Sequence, residues 1–181
     1  MAKVKAGIFV DFCNIGSSFE DLKSMKGLPN ELRIDFKKIT DLAALGMEVV
    51  SKKIYLPIAS NGFNTEKFNS FLNALACIRF ETITKPMKII QTENGEKRKA
   101  DFDVEITRDI CKIIYGGVAC DEIILFSGDS DFACLADDIA RYKARFTIVS
   151  CLNNVSKELL NVASRVILLD DLNKNLYIRN Y

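Results

Sequence analysis

Short apolar segments, each about the length of one buried strand, alternate along this chain with segments of helical periodicity. The apolar segments are 6–10, 53–58, 79–84, 122–126, 146–150 and 166–169. Continuous apolar runs of this length are typical of parallel strands covered on both faces. The segment 79–84 instead alternates apolar and polar residues, which predicts an edge or half-buried strand. The alternation as a whole predicts a doubly wound α/β sheet.

The helical segments fall between these predicted strands, with one interruption. Apolar stripes at helical spacing occupy 36–43, 63–75, 106–114, 132–142 and 156–163. Gly116 and Gly117 predict the end of the third helix, and Ser156 is a candidate N-cap for the fifth. The segment 86–99 breaks the rhythm and contains Asn94-Gly95, a strong signal for a two-residue turn. We therefore predict a hairpin or loop inserted near 86–99.

The composition narrows the chemistry that this fold can support. The 181 residues suffice for one domain with a sizeable core, so we predict a single domain over 1–181. The chain contains no histidine, which excludes a Ser-His-Asp triad, a histidine general base and a histidine-ligated zinc site. Its 25 Lys and Arg residues nearly balance 24 Asp and Glu residues. Any contact with nucleic acid must therefore come from a local basic patch.

The cysteines and the hydropathy pattern bear on the cellular compartment. None of the six cysteines forms a C-x-x-C pair, and we interpret them as reduced thiols. No apolar run approaches the roughly eighteen residues of a membrane span. The N-terminal segment lacks the long apolar stretch of a signal peptide. We therefore expect a cytoplasmic protein that has no membrane partner.

Acidic residues follow the predicted strands at positions that one edge of the sheet would share. Asp11 follows the first strand, Asp129 and Asp131 follow the fourth, and Asp103 opens the third predicted helix. In open α/β sheets, ligands bind beyond the carboxyl ends of the strands, where the winding reverses. Asp103 precedes Ile106 by three residues and continues the apolar stripe of its helix, so its carboxylate should face this edge.

Carboxylates gathered in this way repel one another unless one is protonated or a hard cation is bound. Aspartate and asparagine oxygens suit Mg²⁺ or Mn²⁺, and such ions polarise a phosphodiester and activate water. Because the chain has no histidine to act as a base, this chemistry is the most natural one for it. We therefore predict a divalent-metal site on Asp11, Asp103 and Asp129, with Mg²⁺ or Mn²⁺ as the cofactor.

Several of these acids also have purely structural interpretations. Asp101 is a candidate N-cap, and it competes with Asp103 for the role of ligand. Either Asp129 or Asp131 is expected to cap the helix that follows it. Asp109 is expected on a solvated or half-buried flank of its helix. The convergence of several acids on one edge favours the metal site over these separate explanations.

Basic residues border the acidic edge. They lie in or beside the predicted hairpin and are Lys85, Lys88, Lys97, Arg98 and Lys99. Phosphate contacts supply most of the sequence-independent affinity for nucleic acid, so an acidic centre needs such a margin. Lys99 lies four residues before Asp103 and is the best single candidate for a substrate-phosphate contact. The alternative is a hairpin whose charges only protect its edges from aggregation.

The residues around these acids resemble the motifs of a known family. Residues 9–14, FVDFCN, resemble a D-x-x-N motif that follows a strand, and residues 127–132, SGDSDF, resemble an S-G-D-x-D-F motif. Residues 99–103, with Asp109 beyond them, resemble a K-x-x-D segment. In this order the motifs are similar to those of the NYN domain family, the LabA-like group of the PIN-like nucleases. The resemblance extends from about residue 6 to residue 172.

The resemblance implies a Rossmann-like, PIN-like parallel sheet in the strand order 3-2-1-4-5. It also implies a Mg²⁺- or Mn²⁺-dependent ribonuclease that hydrolyses single-stranded or structured RNA. The catalytic residues that it implies are Asp11, Asp103, Asp129 and Asp131, with the metal on the first three. The expected substrate contacts are Asn14, Ser127 and Lys99.

Other functions remain open at this point. A regulatory NYN module that binds RNA or a protein without catalysis would share the same motifs. Residues 128–130 also resemble the G-D-S motif of haloacid dehalogenase-like phosphatases, but their first motif needs an acid where this chain has Cys13. No G-x-G-x-x-G follows the first strand, which argues against a dinucleotide-binding protein. A homodimer or protein contact through the hairpin or the apolar tail at 176–178 is a further expectation.

Overall fold

The computed structural model describes residues 2–58, 65–92, 95–173, 175 and 178–179. The strands are β1 (Lys5–Asp11), β2 (Arg33–Ile34), β3 (Glu48–Ile58), β4 (Glu81–Pro86), β5 (Lys88–Thr92), β6 (Gly95–Lys99), β7 (Glu122–Phe126), β8 (Arg145–Ser150), β9 (Arg165–Leu168) and β10 (Ile178–Arg179). The α-helices are α1 (Phe12–Met25), α2 (Phe36–Ala43), α3 (Thr65–Cys77), α4 (Asp103–Tyr115), α5 (Ala136–Arg141) and α6 (Lys157–Val162). Two short 3₁₀ segments cover Ser130–Leu135 and Leu169–Asp171.

Six of the strands form one parallel sheet in the order β4-β3-β1-β7-β8-β9. Counting only the six predicted strands, this order is 3-2-1-4-5-6. The predicted α/β fold is therefore confirmed, and a sixth strand extends the expected order at one edge. The half-buried strand predicted near 79–84 is β4, which occupies the opposite edge.

Apolar layers cover both faces of the sheet, as the continuous apolar strands predict. In β1, Ile8 and Val10 face a core that α1, α2 and α3 complete, whereas Phe9 faces a second core formed with α4, α5 and α6. Successive strand residues point to opposite faces, so one short strand supplies both cores. Among the residues whose burial the structure describes, 35 hydrophobic side chains are buried, and the central strands β1 and β7 contribute eight of them.

Two helical segments differ from the sequence-based prediction. Helix α1 carries no strong helical pattern and was not predicted; it begins directly after β1, where the Asp11 side chain accepts a hydrogen bond from the Asn14 N–H. Ile15, Phe19 and Leu22 bury one face of it. The single helix predicted over 132–142 is instead a 3₁₀ segment followed by α5, because the chain must turn tightly as it leaves the sheet.

The inserted hairpin is confirmed by the antiparallel pairing of β5 with β6, in which Thr92 lies opposite Gly95. Asn94 of the predicted turn lies outside the described residues, as does Phe63 at the start of the second predicted stripe. In the apolar tail, β10 pairs with β2 of the same chain, and residues 176–177 lie outside the described part. None of the described helices is both long and apolar enough to cross a bilayer.

Candidate active site

The winding of the sheet reverses between β1 and β7, its two central strands. From β1 the chain proceeds outward to β3 and β4, and from β7 it proceeds to β8 and β9 on the other side. Val10 lies opposite Phe126 in the parallel pairing, so the segments that follow these two strands emerge side by side. A crevice at such a reversal is the usual ligand site of an open α/β sheet.

Asp11 ends β1 and is the N-cap of α1. Its Oδ1 accepts a hydrogen bond of 3.1 Å from the Asn14 N–H, and only 7 % of the residue is exposed. Burial, together with the negative charges of Asp129 and Asp101, raises the pKa of Asp11 to about 6 despite its backbone hydrogen bonds. The carboxylate is therefore held next to other negative groups without full compensation.

Hydrogen bonds and close packing hold the loop that follows β7 in place. Ser127 is fully buried, and its Oγ accepts a hydrogen bond of 3.2 Å from the Asp129 N–H. The Gly128 carbonyl accepts a hydrogen bond of 2.9 Å from the Ser156 N–H. A Cβ atom at Gly128 would lie 2.4 Å from the Asn154 carbonyl oxygen and 2.8 Å from the Ser150 Oγ. Ser127 thus supports the loop from the protein interior.

Asp129 leaves this loop as the N-cap of the 3₁₀ segment. Its Oδ1 accepts a hydrogen bond of 3.1 Å from the Asp131 N–H, so the cap predicted for one of these two acids is Asp129. Asp131 lies in the first turn with an exposed side chain. The hydrogen bond fixes the direction of Asp129 and leaves its second oxygen for other partners.

Asp103 approaches the same point from the N-terminus of α4. Each of Asp103, Asp129 and Asp131, which we call the acidic cluster, places one carboxylate oxygen within 4.8 Å of the others. Burial, a hydrogen bond with the Asp101 side chain and the charges of Asp101, Asp129 and Asp11 raise the pKa of Asp103 to about 7. Asp11 does not belong to the 4.8 Å group but contributes its charge from the side. The structure therefore brings together Asp103 and Asp129, with Asp131 as the third carboxylate of the group.

Asp101 is close to the cluster but is engaged with the start of α4. Its Oδ1 accepts a hydrogen bond of 3.1 Å from the Asp103 N–H, although Phe102 is the N-cap position of the helix. Asp101 therefore stabilises the first turn, much as a cap would. The backbone of Lys99 pairs with Lys88 at the base of the hairpin, and its side chain lies outside the described part of the structure.

Two buried acids elsewhere in the fold, Asp109 in α4 and Glu122 in β7, are paired with cations. Asp109 is only 3 % exposed, so the prediction of a solvated or half-buried flank is wrong. It lies 3.0 Å from the Lys53 Nζ and 3.0 Å from the Arg108 Nη2. Glu122, 1 % exposed, pairs with Arg145 and lies 3.1 Å from the Arg165 Nη2. Each of these carboxylates has enough positive charge nearby to offset its burial.

The acidic cluster and Asp11 have no such compensation. Among the described residues, no Lys or Arg forms an ion pair with Asp11, Asp103, Asp129 or Asp131. Mutual repulsion in a partly buried site costs several kcal/mol when charges approach to about 4 Å at an effective dielectric of about 20. Carboxylate oxygens at this spacing, without internal cations, fit a hard divalent cation.

Asn14 presents a hydrogen-bond donor at the same edge. Its Oδ1 accepts hydrogen bonds from the Gly128 N–H at 2.9 Å and from the Asn154 Nδ2 at 2.8 Å. A backbone N–H can only donate, so it determines which side of the Asn14 amide faces the loop. No described residue accepts a hydrogen bond from the Asn14 Nδ2. The amide nitrogen is therefore available to an anionic ligand, and the oxygen is not.

Comparison with known proteins agrees with this geometry. The model of the NYN domain family matches residues 5–170. The chain belongs to the NYN domain family. This NYN domain is 31 % identical over 105 residues to the low amplitude and bright protein LabA of Synechococcus elongatus, a match that covers 56 % of the chain and 55 % of LabA. The chain thus spans about half the length of that relative.

A solved structure is similar along the whole NYN domain. The crystal structure of a Vibrio parahaemolyticus protein of unknown function matches it with a TM-score of 0.73 and 28 % sequence identity. The match covers 98 % of this chain and 97 % of the other. The predicted family is therefore confirmed, and with it the PIN-like, LabA-like character of the fold.

Asn154 is the residue at this edge that sequence reasoning missed. It belongs to none of the quoted motifs, and it meets Asn14 across 140 positions of sequence. One signal was available, because residues 151–155 follow β8, the strand next to β7. Applying the rule about carboxyl ends to this strand as well would have included Asn154 among the candidates.

Proposed function

We propose that this NYN domain is a divalent-metal-dependent nuclease that hydrolyses RNA phosphodiesters. The observation that carries the proposal is the contrast between compensated and uncompensated acids. Buried Asp109 and Glu122 are neutralised by the chain's own cations, whereas Asp11, Asp103, Asp129 and Asp131 form no ion pair with any side chain that the structure describes. Membership of a family within the PIN-like nucleases supports the same chemistry.

The residues that would hold Mg²⁺ or Mn²⁺ are Asp103, Asp129 and Asp131, whose oxygens lie together. Asp11, predicted as a ligand, would complete the charge of the site from its buried cap position. The ion supplies Lewis-acid polarisation of the phosphodiester and activation of water. The chain's own groups position the substrate: Asn14 donates to a phosphate oxygen through its Nδ2, and Ser127 holds the loop that carries Asp129. Lys99 is proposed as a further phosphate contact.

Cleavage of single-stranded RNA by the purified chain tests this proposal. Cleavage is expected with Mg²⁺ or Mn²⁺ and not with EDTA, because the cation would supply the polarisation of the phosphodiester and the activation of water. Binding to the folded state alone also raises stability by about 2.7 kcal/mol at 100 times the dissociation constant. For a chain of this size that corresponds to a rise of roughly 5–10 °C in melting temperature with Mn²⁺.

Three outcomes would contradict the nuclease proposal. A folded preparation that cuts neither RNA nor DNA with either metal would leave the hydrolytic mechanism without support. RNA binding or protein capture that is unchanged in Asp11→Ala and Asp129→Ala would favour the non-catalytic module instead. Rapid hydrolysis of an aryl phosphate without nuclease activity would indicate the phosphatase alternative.

Replacing Asn154 by alanine is expected to reduce kcat/KM for RNA by about 10–100-fold, because the Asn14 amide loses one of the two donors that fix it. The melting-temperature rise with Mn²⁺ should stay as in the unmodified chain, since the Asn14 oxygen does not face the acidic cluster. Kinetics and Mn²⁺ melting curves measure both effects. Asn153→Ala, an exposed neighbour, is the control. A weakened Mn²⁺ response in Asn154→Ala would show that this amide pair serves the metal.

A further inference from the structure

A groove runs along the first turns of α4, directly beside the acidic cluster. Its volume is about 350 Å³, within the range of about 300–1,000 Å³ that is typical of ligand pockets. Its lining residues are Asp103, Val104, Thr107, Arg108, Asp131 and Phe132. Asp103 and Asp131 belong both to this groove and to the acidic cluster. A ligand that leaves the cluster on this side therefore enters the groove.

The groove offers an apolar surface next to a hydroxyl group. Val104 is 79 % exposed and lies in the first turn of α4. Phe132 lies beneath it in the core, and Thr107 occupies the next turn of α4. Apolar walls with a few polar groups are what small organic rings bind to. A nucleoside has this combination of an apolar base and a hydroxyl-bearing sugar.

Positive charge lies at the far end of the groove. Arg108 is five residues beyond Asp103, which is about 7.5 Å along a helix axis. Arg108 and Lys112 share the carboxylate of Asp109 with Lys53, at 3.0, 3.4 and 3.0 Å respectively. Because Lys53 also lies 3.4 Å from Glu81, the positive charge at this end of the groove comes from Arg108 and Lys112, whose side chains are 54 % and 66 % exposed. The surface thus changes from acidic to apolar to basic along α4.

We propose that this groove binds the nucleoside next to the scissile phosphate of single-stranded RNA, with Arg108 contacting the following phosphate. The inference rests on the proposed nuclease function and adds the direction in which the substrate leaves the acidic cluster. A polyanion that passes an acidic centre needs a cation beyond it, and Arg108 supplies one. Only an unpaired strand has a base free to enter such a groove, so the substrate is single-stranded.

Opposite charges placed at Val104 test the groove with little risk to folding. Val104→Glu is expected to lower kcat/KM for single-stranded RNA by about tenfold, and Val104→Lys to raise it, because the side chain lies beside the path of the phosphates. The matched controls are Leu45→Glu and Leu45→Lys. Leu45 is 77 % exposed and precedes β3. It therefore lies at the amino-terminal end of the parallel strands, whereas the acidic cluster lies at their carboxyl ends. Both controls should cleave at the rate of the unmodified chain, and melting temperatures verify folding.

The contribution of Arg108 is measured through salt dependence. Arg108→Ala should reduce the slope of log(kcat/KM) against log[salt] by about one, the loss of one phosphate contact. Arg141→Ala, which removes the same charge from α5 at a side chain 79 % exposed, should leave the slope unchanged.

The two levels of the proposal fail differently. If the unmodified chain cuts RNA and the Val104 and Leu45 variants behave alike, the groove is not on the substrate path, although the nuclease proposal stands. An unaltered salt slope in Arg108→Ala would likewise overturn the phosphate contact. If the unmodified chain cuts no RNA, both proposals are overturned together.

Discussion

Replacing Asp129 by asparagine is expected to reduce RNA cleavage by about a thousandfold or more and to abolish the melting-temperature rise with Mn²⁺. The amide removes one negative charge from the acidic cluster. It can still accept the hydrogen bond from the Asp131 N–H, so the 3₁₀ segment should remain capped. Cleavage assays and Mn²⁺ melting curves on the two chains measure the effect.

The metal-free stability of Asp129→Asn separates loss of a ligand from loss of the fold. The charge of Asp129 acts unfavourably on Asp11 and Asp103, so the metal-free variant should melt at the same temperature as the unmodified chain or slightly above it. Asp137→Asn, on the exposed side of α5, removes the same charge away from the cluster and should retain cleavage. Retained cleavage in Asp129→Asn itself would exclude this carboxylate as an essential ligand.

Replacing Asp109 by alanine is expected to lower the free energy of unfolding by about 3–5 kcal/mol, because it leaves the half-buried Lys53 and the buried Tyr55 hydroxyl without their partner. Lys53, whose side chain is 18 % exposed, would lose its 3.0 Å ion pair. The buried hydroxyl of Tyr55 would lose its 3.0 Å hydrogen bond. For a chain of this size the loss corresponds to a fall of roughly 10 °C in melting temperature. Asp41→Ala breaks the exposed pair with Lys37 and should cost less than about 1 kcal/mol.

The same residue gives stability a defined dependence on pH. Burial alone would raise the pKa of Asp109, but hydrogen bonds from Arg108, Lys53 and Tyr55 outweigh it and hold the pKa at about 2, below the ordinary 3.8. The unfolded chain therefore binds a proton more readily. This part of the stability is present above pH 4 and is lost as the pH falls towards 2. Acid melting curves of Asp109→Ala should lack this component, and identical pH slopes in both chains would contradict it.

The sheet was predictable from the sequence because its strands are specified locally. The six apolar segments correspond to the six strands of the parallel sheet, and the hairpin signal corresponds to β5 and β6. The D-x-x-N and S-G-D-x-D-F motifs lie at the ends of β1 and β7, which the sheet makes neighbours. Residues with this arrangement meet by virtue of the strand order alone, and the acidic edge could therefore be foreseen.

What the sequence did not reveal depends on contacts between distant segments. Helix α1 contains Gly16 and serines, and its stability comes from packing and from its Asp11 cap rather than from a clear pattern. The sequence of α4 alone placed Asp109 on a solvated or half-buried flank. Its ion-pair partner Lys53 comes from β3, 56 positions away. Asn154 meets Asn14 only because the segment after β8 approaches the first turn of α1. No local periodicity encodes such pairs.

The close packing around Gly128 determines where the neighbouring carboxylate of Asp129 lies. The Asn154 carbonyl and the Ser150 hydroxyl fill the space where a Cβ of residue 128 would lie. Even the methyl group of an alanine at this position would therefore displace the turn. Displacing that turn would move Asp129 away from Asp103 at the start of α4. The distance between the carboxylates of Asp103 and Asp129 thus depends on the uncharged Gly128. A neutral substitution at Gly128 would change the electrostatic repulsion in the site without replacing an acid.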